Sequence, residues 1–62
     1  MNLNTAGQEE LEQLDGVGQK LALAILEYRS VHGSFHSVEE LTRVKGFGAE
    51  RLERIRSYLT VE

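Results

Sequence analysis

The sequence contains no cysteine and only two histidines, so the usual ligands of structural metal sites are scarce. Without cysteine there is neither a disulfide framework nor a thiolate metal site, and the fold must be stabilised by packing. His32 and His36 have the four-residue spacing that suits a metal on a helix, but Gly33 and Ser34 between them indicate a loop. No third ligand is evident, so no metal site is predicted.

Long apolar runs and a basic leader are also absent. No stretch approaches the ~20 apolar residues of a membrane span, and no basic segment precedes an apolar core as in a signal peptide. The sequence therefore predicts a soluble segment that makes no membrane contact of its own. Met1 fits either a complete small protein or an expressed domain of a longer one, and the cellular location stays open.

Basic residues are the minority, with 7 against 10 acids and a net charge of −3. A general polyanion binder carries a basic excess, so only a local cluster of cations would allow this chain to bind nucleic acid. A 62-residue chain buries only about 60% of the surface that it exposes when unfolded. We therefore predict one monomeric domain over 1–62, with no room for a deep catalytic cleft.

The sequence does contain an internal repeat. Shifting the chain by 30 residues places 8–28 over 38–58 with 7 identities in 21 positions. The identities are Glu9/Glu39, Glu10/Glu40, Leu11/Leu41, Gly16/Gly46, Gly18/Gly48, Ile25/Ile55 and Tyr28/Tyr58. Each copy has a Gly-x-Gly hairpin between two segments of helical pattern, which predicts two motifs at about 7–31 and 37–60.

Apolar residues recur at three-to-four spacing on both sides of the hairpins, as in helices that bury one face. Strand signals are absent, so the predicted fold class is a compact all-α domain of four helices. The helices are predicted from about 8 to 14, from Gly18 to about 31, from Ser37 to about 44, and from the second hairpin to the end of the chain.

The helix starts carry capping signals of unequal strength. Ser37-Val38-Glu39-Glu40 predicts a capping box, whereas Gly7 and Thr5 compete as the cap of helix 1. In the last helix Tyr58 is expected in the buried face, and Val61 is expected to pack against the N-terminal lead-in.

The two hairpins, Gly16-Val17-Gly18 and Gly46-Phe47-Gly48, are candidate phosphate cradles. A helix start presents unpaired N–H groups, and a Gly-x-Gly turn removes the Cβ atoms that would keep an anion away. If the repeat is a pseudo-twofold, two such cradles would grip opposite strands of a duplex without reading its sequence. Val17 and Phe47 are expected to plug the hairpins rather than to read bases. The alternative is that both hairpins are structural turns only.

Three cations near the hairpins, Lys20, Lys45 and Arg51, have no acid four residues away and are expected to be free for phosphate. Arg43 and Arg54 each follow a glutamate by four residues, which favours surface ion pairs, while Arg29 and Arg56 stay undecided. The candidate DNA phosphate-binding residues are Gly16, Val17, Gly18, Lys20, Lys45, Gly46, Phe47, Gly48 and Arg51.

Enzymatic readings of the glycine pattern fail. A dinucleotide fingerprint would need a preceding strand and a glycine where Leu21 stands, and a P-loop would need Gly-Lys-Ser/Thr. No Ser/His/Asp set can be assembled because both histidines fall in one loop. We predict no enzyme activity, no catalytic residue and no cofactor.

The order of elements resembles the tandem helix-hairpin-helix domain of the ComEA type, from bacterial competence DNA-uptake receptors. The resemblance covers nearly the whole chain and is carried by these segments: Asn2-Leu3-Asn4-Thr5-Ala6, Glu9-Glu10-Leu11, Leu14-Asp15-Gly16-Val17-Gly18, Tyr28-Arg29, Gly33-Ser34-Phe35, Ser37-Val38-Glu39-Glu40-Leu41, Gly46-Phe47-Gly48 and Tyr58-Leu59-Thr60-Val61.

That resemblance implies a SAM-like fold and sequence-independent binding of double-stranded DNA from the minor-groove side, on the outer face of the cytoplasmic membrane. A protein-interaction module on the same fold is the alternative. Three positions depart from the family pattern. Asp15 replaces a common proline, Lys20 is displaced by one residue, and Glu50 stands where lysine is common.

Overall fold

Five short helical segments follow one another along the chain, and the computed structural model describes all residues from 1 to 62. They are α1 (Gln8–Leu11), α2 (Gln19–His32), the 3₁₀-helix η1 (Val38–Arg43), α3 (Ala49–Ile55) and the 3₁₀ turn η2 (Arg56–Tyr58). Because η2 continues α3 without a break, the chain forms four helices, and the predicted all-α class is confirmed. None of them has the length and apolar composition that a membrane span requires.

The first helix of each motif is shorter or tighter than predicted. α1 ends at Leu11, and the following N–H groups bond three residues back, Gln13 to Glu10 at 3.0 Å and Leu14 to Leu11 at 3.1 Å. The equivalent segment η1 is a 3₁₀-helix over its whole length. Short segments that lead directly into a turn satisfy their last carbonyls with such i→i+3 bonds.

The predicted capping box at Ser37 does not form, because the Ser37 side chain makes no cap hydrogen bond. The Glu40 carboxylate reaches one residue further back, and its Oε1 accepts a hydrogen bond from the His36 N–H at 2.8 Å. The Tyr28 hydroxyl donates to the other oxygen of Glu40 at 3.0 Å, which holds the carboxylate toward α2.

In the first motif the helix cap is Gly7 rather than Thr5. The Gly7 N–H donates to the Glu10 carboxylate at 3.2 Å, but glycine has no side chain to complete a capping box. In both motifs, therefore, a first-turn glutamate accepts a hydrogen bond from a backbone N–H before the helix, but the N-cap side chain makes no hydrogen bond in return.

The hydrophobic core repeats as the sequence does. Ten of the 14 buried residues form five pairs separated by 30 positions: Leu11/Leu41, Leu14/Val44, Val17/Phe47, Ala22/Leu52 and Ile25/Ile55. The other four, Leu3, Ala6, Phe35 and Leu59, lie outside the repeated segments. One core is therefore built from two equivalent half-cores, one from each motif.

The tyrosine pair of the repeat does not follow this rule. Tyr28 is half-buried and stacks on Phe35 with ring centroids 5.2 Å apart, whereas Tyr58 is 67% exposed. The prediction that Tyr58 is buried is wrong. The helix ends at this residue, and the extended residue that follows, Leu59, is the one buried in the core.

The two ends of the chain lie side by side. Asn2 and Thr60 form an isolated parallel bridge, and the Leu3 N–H donates to the Thr60 carbonyl at 2.9 Å. Arg29, whose role the sequence left open, donates from Nη1 to the carbonyls of Leu3 at 2.9 Å and Ala6 at 2.8 Å. Arg29 is therefore a structural residue that fastens the lead-in to α2. Val61 is half-buried against the core.

Valine at Gly16 or at Gly46 is expected to lower the free energy of unfolding by about 1–2 kcal/mol, because both glycines have left-handed φ angles, +81° and +87°. A Cβ on Gly16 would also lie 3.1 Å from the Arg51 Nε. Urea unfolding of each variant measures the loss. Melting curves that overlay the parent's would contradict this role for the two glycines.

Candidate nucleic-acid interface

Each hairpin turns through a glycine of positive φ and is closed by one backbone hydrogen bond. The Val17 N–H donates to the Leu14 carbonyl, and the Phe47 N–H donates to the Val44 carbonyl, both at 3.0 Å. The side chains of Val17 and Phe47 are each only 4% exposed. They fill the hairpins from within, as predicted, so a ligand meets no apolar wedge there.

The second glycine of each hairpin is the N-cap of the following helix. Gly18 and Gly48 have φ angles of −96° and −93°, which any residue can adopt. A Cβ added to either would meet nothing within 4 Å. The fold itself therefore gives no reason for glycine at these two positions, where serine or aspartate would be the better cap.

The N–H groups of the first turns after these caps have no partner within the chain. The first helical bonds are from the Ala22 N–H to the Gly18 carbonyl at 2.9 Å and from the Leu52 N–H to the Gly48 carbonyl at 3.2 Å. The three N–H groups before each of these are unpaired, as at any helix start without a side-chain cap. Two sets of free donors thus lie beside two glycines that leave space in front of them.

The two hairpins pack against each other's helices in a reciprocal way. A Cβ on Gly46 would lie 3.7 Å from Leu21 Cδ1, and a Cβ on Gly16 would lie 3.1 Å from Arg51 Nε. Adding 30 to Leu21 gives Arg51, and subtracting 30 from Gly46 gives Gly16. Contacts that exchange under the repeat are those that a pseudo-twofold axis between the hairpins would produce.

An open groove of about 870 Å³ runs between the hairpins and along α2. Four of the 7 basic residues line it, Lys20, Arg43, Lys45 and Arg51, together with the hairpin glycines Gly16, Gly18 and Gly46. Of the 10 acidic residues only Glu27 lines it. An acidic chain thus presents one locally cationic surface, which includes Gly16, Gly18 and Gly46 but not Gly48.

The three cations that were predicted to be available for phosphate differ in how firmly the protein holds their side chains. Lys20 and Lys45 are exposed and form no ion pair. Arg51 also has no acidic partner, but its Nη1 donates to the Gly46 carbonyl at 3.3 Å and its Nε is buried without a partner. The side chain of Arg51 is therefore held by the fold in a way that those of the two lysines are not.

The two surface pairs predicted for Arg43 and Arg54 do not form. Arg56 instead bonds Glu53 at 2.6 Å and also Glu39, the residue expected to pair with Arg43. The i,i+4 rule assumes α-helical geometry, and η1 is a 3₁₀-helix, in which residues three apart share a face. Arg43 is thus left to line the groove, a role that the sequence analysis missed for this reason.

Tyr28 and His32 also line the groove, and their ring centroids are 4.3 Å apart. Burial and the hydrogen bond to Glu40 raise the pKa of the Tyr28 hydroxyl above its ordinary value. The His36 backbone N–H, with help from Tyr28, holds the pKa of the Glu40 carboxyl below its ordinary value. No group of three or more histidine, cysteine, aspartate or glutamate side chains is arranged to hold a metal ion.

Comparison with known proteins agrees with this geometry. Residues 1–60 match the family model described as helix-hairpin-helix motif. ComE operon protein 1 of Bacillus subtilis is 44% identical over all 62 residues, which span 30% of that protein. Endonuclease/exonuclease/phosphatase family domain-containing protein 1 of Mus musculus is also 44% identical over the whole chain, which spans 11% of its length.

An uncharacterised protein of Haemophilus influenzae is 44% identical over 57 residues, or 90% of this chain and 51% of that protein. The chain thus spans about half or less of the length of each of these three relatives. The matched segment nevertheless includes both hairpins and the four helices around them. The chain belongs to the helix-hairpin-helix family.

Proposed function

We propose that this domain binds double-stranded DNA without reading its sequence, through backbone N–H groups of its two Gly-x-Gly hairpins and the cations beside them. The observation that carries this proposal is the uneven distribution of charge. In a chain of net charge −3, one groove collects four of the 7 bases and one of the 10 acids, and the hairpins open onto it. Phosphate is the ligand that such a surface fits.

In this proposal each hairpin takes one backbone phosphate. The unpaired N–H groups after Gly18 and Gly48 donate to the phosphate oxygens, and the missing Cβ atoms allow close approach. Lys20 and Lys45 are exposed at the two hairpins and add charge-assisted contacts. Contacts of this kind set position and affinity but carry no base information.

The pseudo-twofold relation suits a duplex rather than a single strand. The reciprocal contacts of Leu21 with Gly46 and of Arg51 with Gly16 support two equivalent hairpins about one axis. A duplex has matching twofold axes between its antiparallel strands, so each hairpin can meet the same chemistry on a different strand. With Val17 and Phe47 buried, the hairpins present no side chain for base recognition, which supports sequence independence.

We further propose a binding module, not an enzyme, that serves DNA uptake in competence as in the resembled family. The chain spans only 11% of the mouse relative named for an endonuclease/exonuclease/phosphatase domain. Its groove collects cations rather than the carboxylates that a metal-dependent nuclease would need. If the domain belongs to a receptor of this type, it acts at the cell surface.

A protein-interaction module is the second candidate, because the groove also has an apolar side. Val31 is 70% exposed at the groove, and Leu21, Ala24 and Tyr28 line it as well. A protein partner would use this side of α2 and leave the hairpin N–H groups unaffected. The two candidates therefore predict different sets of perturbed residues.

Titrating the labelled domain with two unrelated duplexes in low salt tests the proposal. We expect equal affinities, amide shifts concentrated at both hairpins, and a log–log salt slope of about −2 to −4 for two to four neutralised phosphates. Hairpin amides that do not shift at high micromolar duplex would contradict DNA binding and favour the protein partner. A clear preference for one duplex would contradict sequence independence.

A further inference from the structure

The Arg51 side chain contacts both hairpins. A Cβ on Gly16 would lie 3.1, 3.7 and 3.8 Å from its Nε, Cδ and Cγ, so the arm of the arginine lies across the first hairpin. Its Nη1 donates to the Gly46 carbonyl of the second hairpin at 3.3 Å. The guanidinium therefore connects two turns that are 30 residues apart in the chain.

The pseudo-twofold partner of Arg51 does less. Leu21 approaches Gly46 at 3.7 Å through an aliphatic carbon, and it has no polar group with which to reach the first hairpin. The Arg51 guanidinium thus binds the hairpin of its own motif while its arm packs on the hairpin of the other motif, a combination that Leu21 cannot make. The Arg51 Nε is buried and has no hydrogen-bond partner.

We propose that Arg51 is a positioning residue that fixes the distance and orientation between the two hairpins, while Lys20 and Lys45 make the direct phosphate contacts. This inference rests on the proposed function and deepens it. Two cradles on a rigid frame bind a duplex more tightly than the same cradles moving independently, because less freedom is lost when the second phosphate is engaged. Loss of Arg51 should thus weaken duplex binding without removing a phosphate contact.

The test compares Arg51→Met with Arg54→Met. Both changes remove one positive charge from α3 and substitute the same residue, but Arg54 is exposed, forms no ion pair and does not line the groove. Methionine keeps an unbranched apolar arm that can pack on Gly16. Arg51→Lys is a second variant, which keeps the charge and can still donate to the Gly46 carbonyl.

For the free protein, we expect amide hydrogen exchange of Phe47 to accelerate in Arg51→Met and to stay at the parent rate in Arg54→Met. For the duplex, we expect Arg51→Met to bind roughly five- to twentyfold weaker than Arg54→Met at every salt concentration, with an equal log–log slope. Arg51→Lys should recover part of both effects.

A slope that is shallower by about 0.9 in Arg51→Met than in Arg54→Met would overturn the proposal and make Arg51 a direct phosphate ligand. Equal affinities of the two methionine variants would overturn it as well. If the parent itself binds no duplex, the proposed function fails. In that case the Phe47 exchange rates still decide whether Arg51 couples the hairpins, and unchanged rates would overturn the coupling.

Discussion

Replacing Gly18 and Gly48 together with serine is expected to leave the domain as stable as the parent or slightly more stable, and to weaken duplex binding between ten- and a hundredfold. Duplex affinity should fall while stability does not, because the fold does not require glycine at these two positions. Their φ angles of −96° and −93° are open to any residue, and a Cβ meets nothing within 4 Å.

The expected stability follows from helix capping. Serine is among the preferred N-cap residues, and its advantage over glycine is only a few tenths of a kcal/mol. The hydroxyl gains that advantage by accepting a hydrogen bond from the second or third N–H of the helix, which here means Lys20 or Leu21 after Gly18. Glu50 and Arg51 hold the same positions after Gly48.

The expected loss of affinity follows from the same hydrogen bond. If phosphate binds these N–H groups, the serine hydroxyl competes with it for them, and the new Cβ and Oγ occupy the space in which it would lie. A hydrogen bond to a charged group contributes about 1.5–3 kcal/mol, and 1.4 kcal/mol is a factor of ten. Partial loss at two hairpins therefore gives the stated range.

Gly7→Ser is the matched control. Gly7 is also an N-cap of extended backbone with nothing within 4 Å of an added Cβ, but it belongs to neither hairpin. Serine there should change stability in the same direction and leave duplex affinity at the parent value. Thermal melts and fluorescence anisotropy with a labelled duplex measure the two quantities. A hairpin double variant that binds as well as Gly7→Ser would contradict phosphate binding at the hairpin N–H groups.

The sequence predicted the repeat, the four helices and the hairpins because these depend on local and periodic signals. Gly16 and Gly46 have the positive φ angles expected of a hairpin glycine, and Leu11 and Leu41 occupy equivalent places in the core. An internal repeat allows each predicted helix or hairpin to be tested, since an element found in one copy is expected in the other. That is why the fold class needed little beyond the spacing of glycines and leucines.

Predictions that depended on the exact helix type were less successful. Nothing in Val38–Arg43 distinguishes a 3₁₀-helix from an α-helix, and the difference moved Glu39 away from Arg43 and toward Arg56. The rotation per residue differs by only about 20° between the two helix types, but over four residues this difference moves a side chain to another face of the helix.

The double role of Arg51 was beyond sequence reasoning for another reason. Its contact with Gly16 crosses from the second motif to the first, and no spacing rule within a helix describes it. The repeat did contain a usable signal, because it aligns Arg51 with Leu21, an apolar residue of a buried face. An arginine at a position that is apolar in the other copy is expected to be partly buried.

Substituting lysine for both Asp15 and Glu50 is expected to raise duplex affinity about tenfold in low salt and to steepen the log–log salt slope by up to about two units. The repeat aligns Asp15 with Lys45 and Glu50 with Lys20. The first hairpin now carries only Lys20, and the second carries only Lys45. The double variant gives each hairpin a lysine at both of the equivalent positions. Each added phosphate contact contributes about 0.9 to the slope.

The affinity gain has two sources, each modest at an exposed site. Removing a carboxylate beside a phosphate relieves a repulsion of a few tenths to about 1 kcal/mol, and adding an ammonium supplies an attraction of similar size. Asp15 and Glu50 are exposed and form no ion pair, so their loss leaves no unpaired partner and should hardly change stability. Isothermal titration or anisotropy at four salt concentrations gives both the affinity and the slope.

The control for net charge is Glu12→Lys with Glu62→Lys, which changes the charge by the same four units outside both hairpins and the first helical turns that follow them. If the hairpins hold the phosphates, this control gains less affinity and keeps the parent slope, because lysines outside the hairpins add no phosphate contact. Equal gains from the two double variants would mean that DNA responds only to net charge. The hairpins would then be structural turns, and the apolar side of the groove at Val31 would become the better guide to a partner.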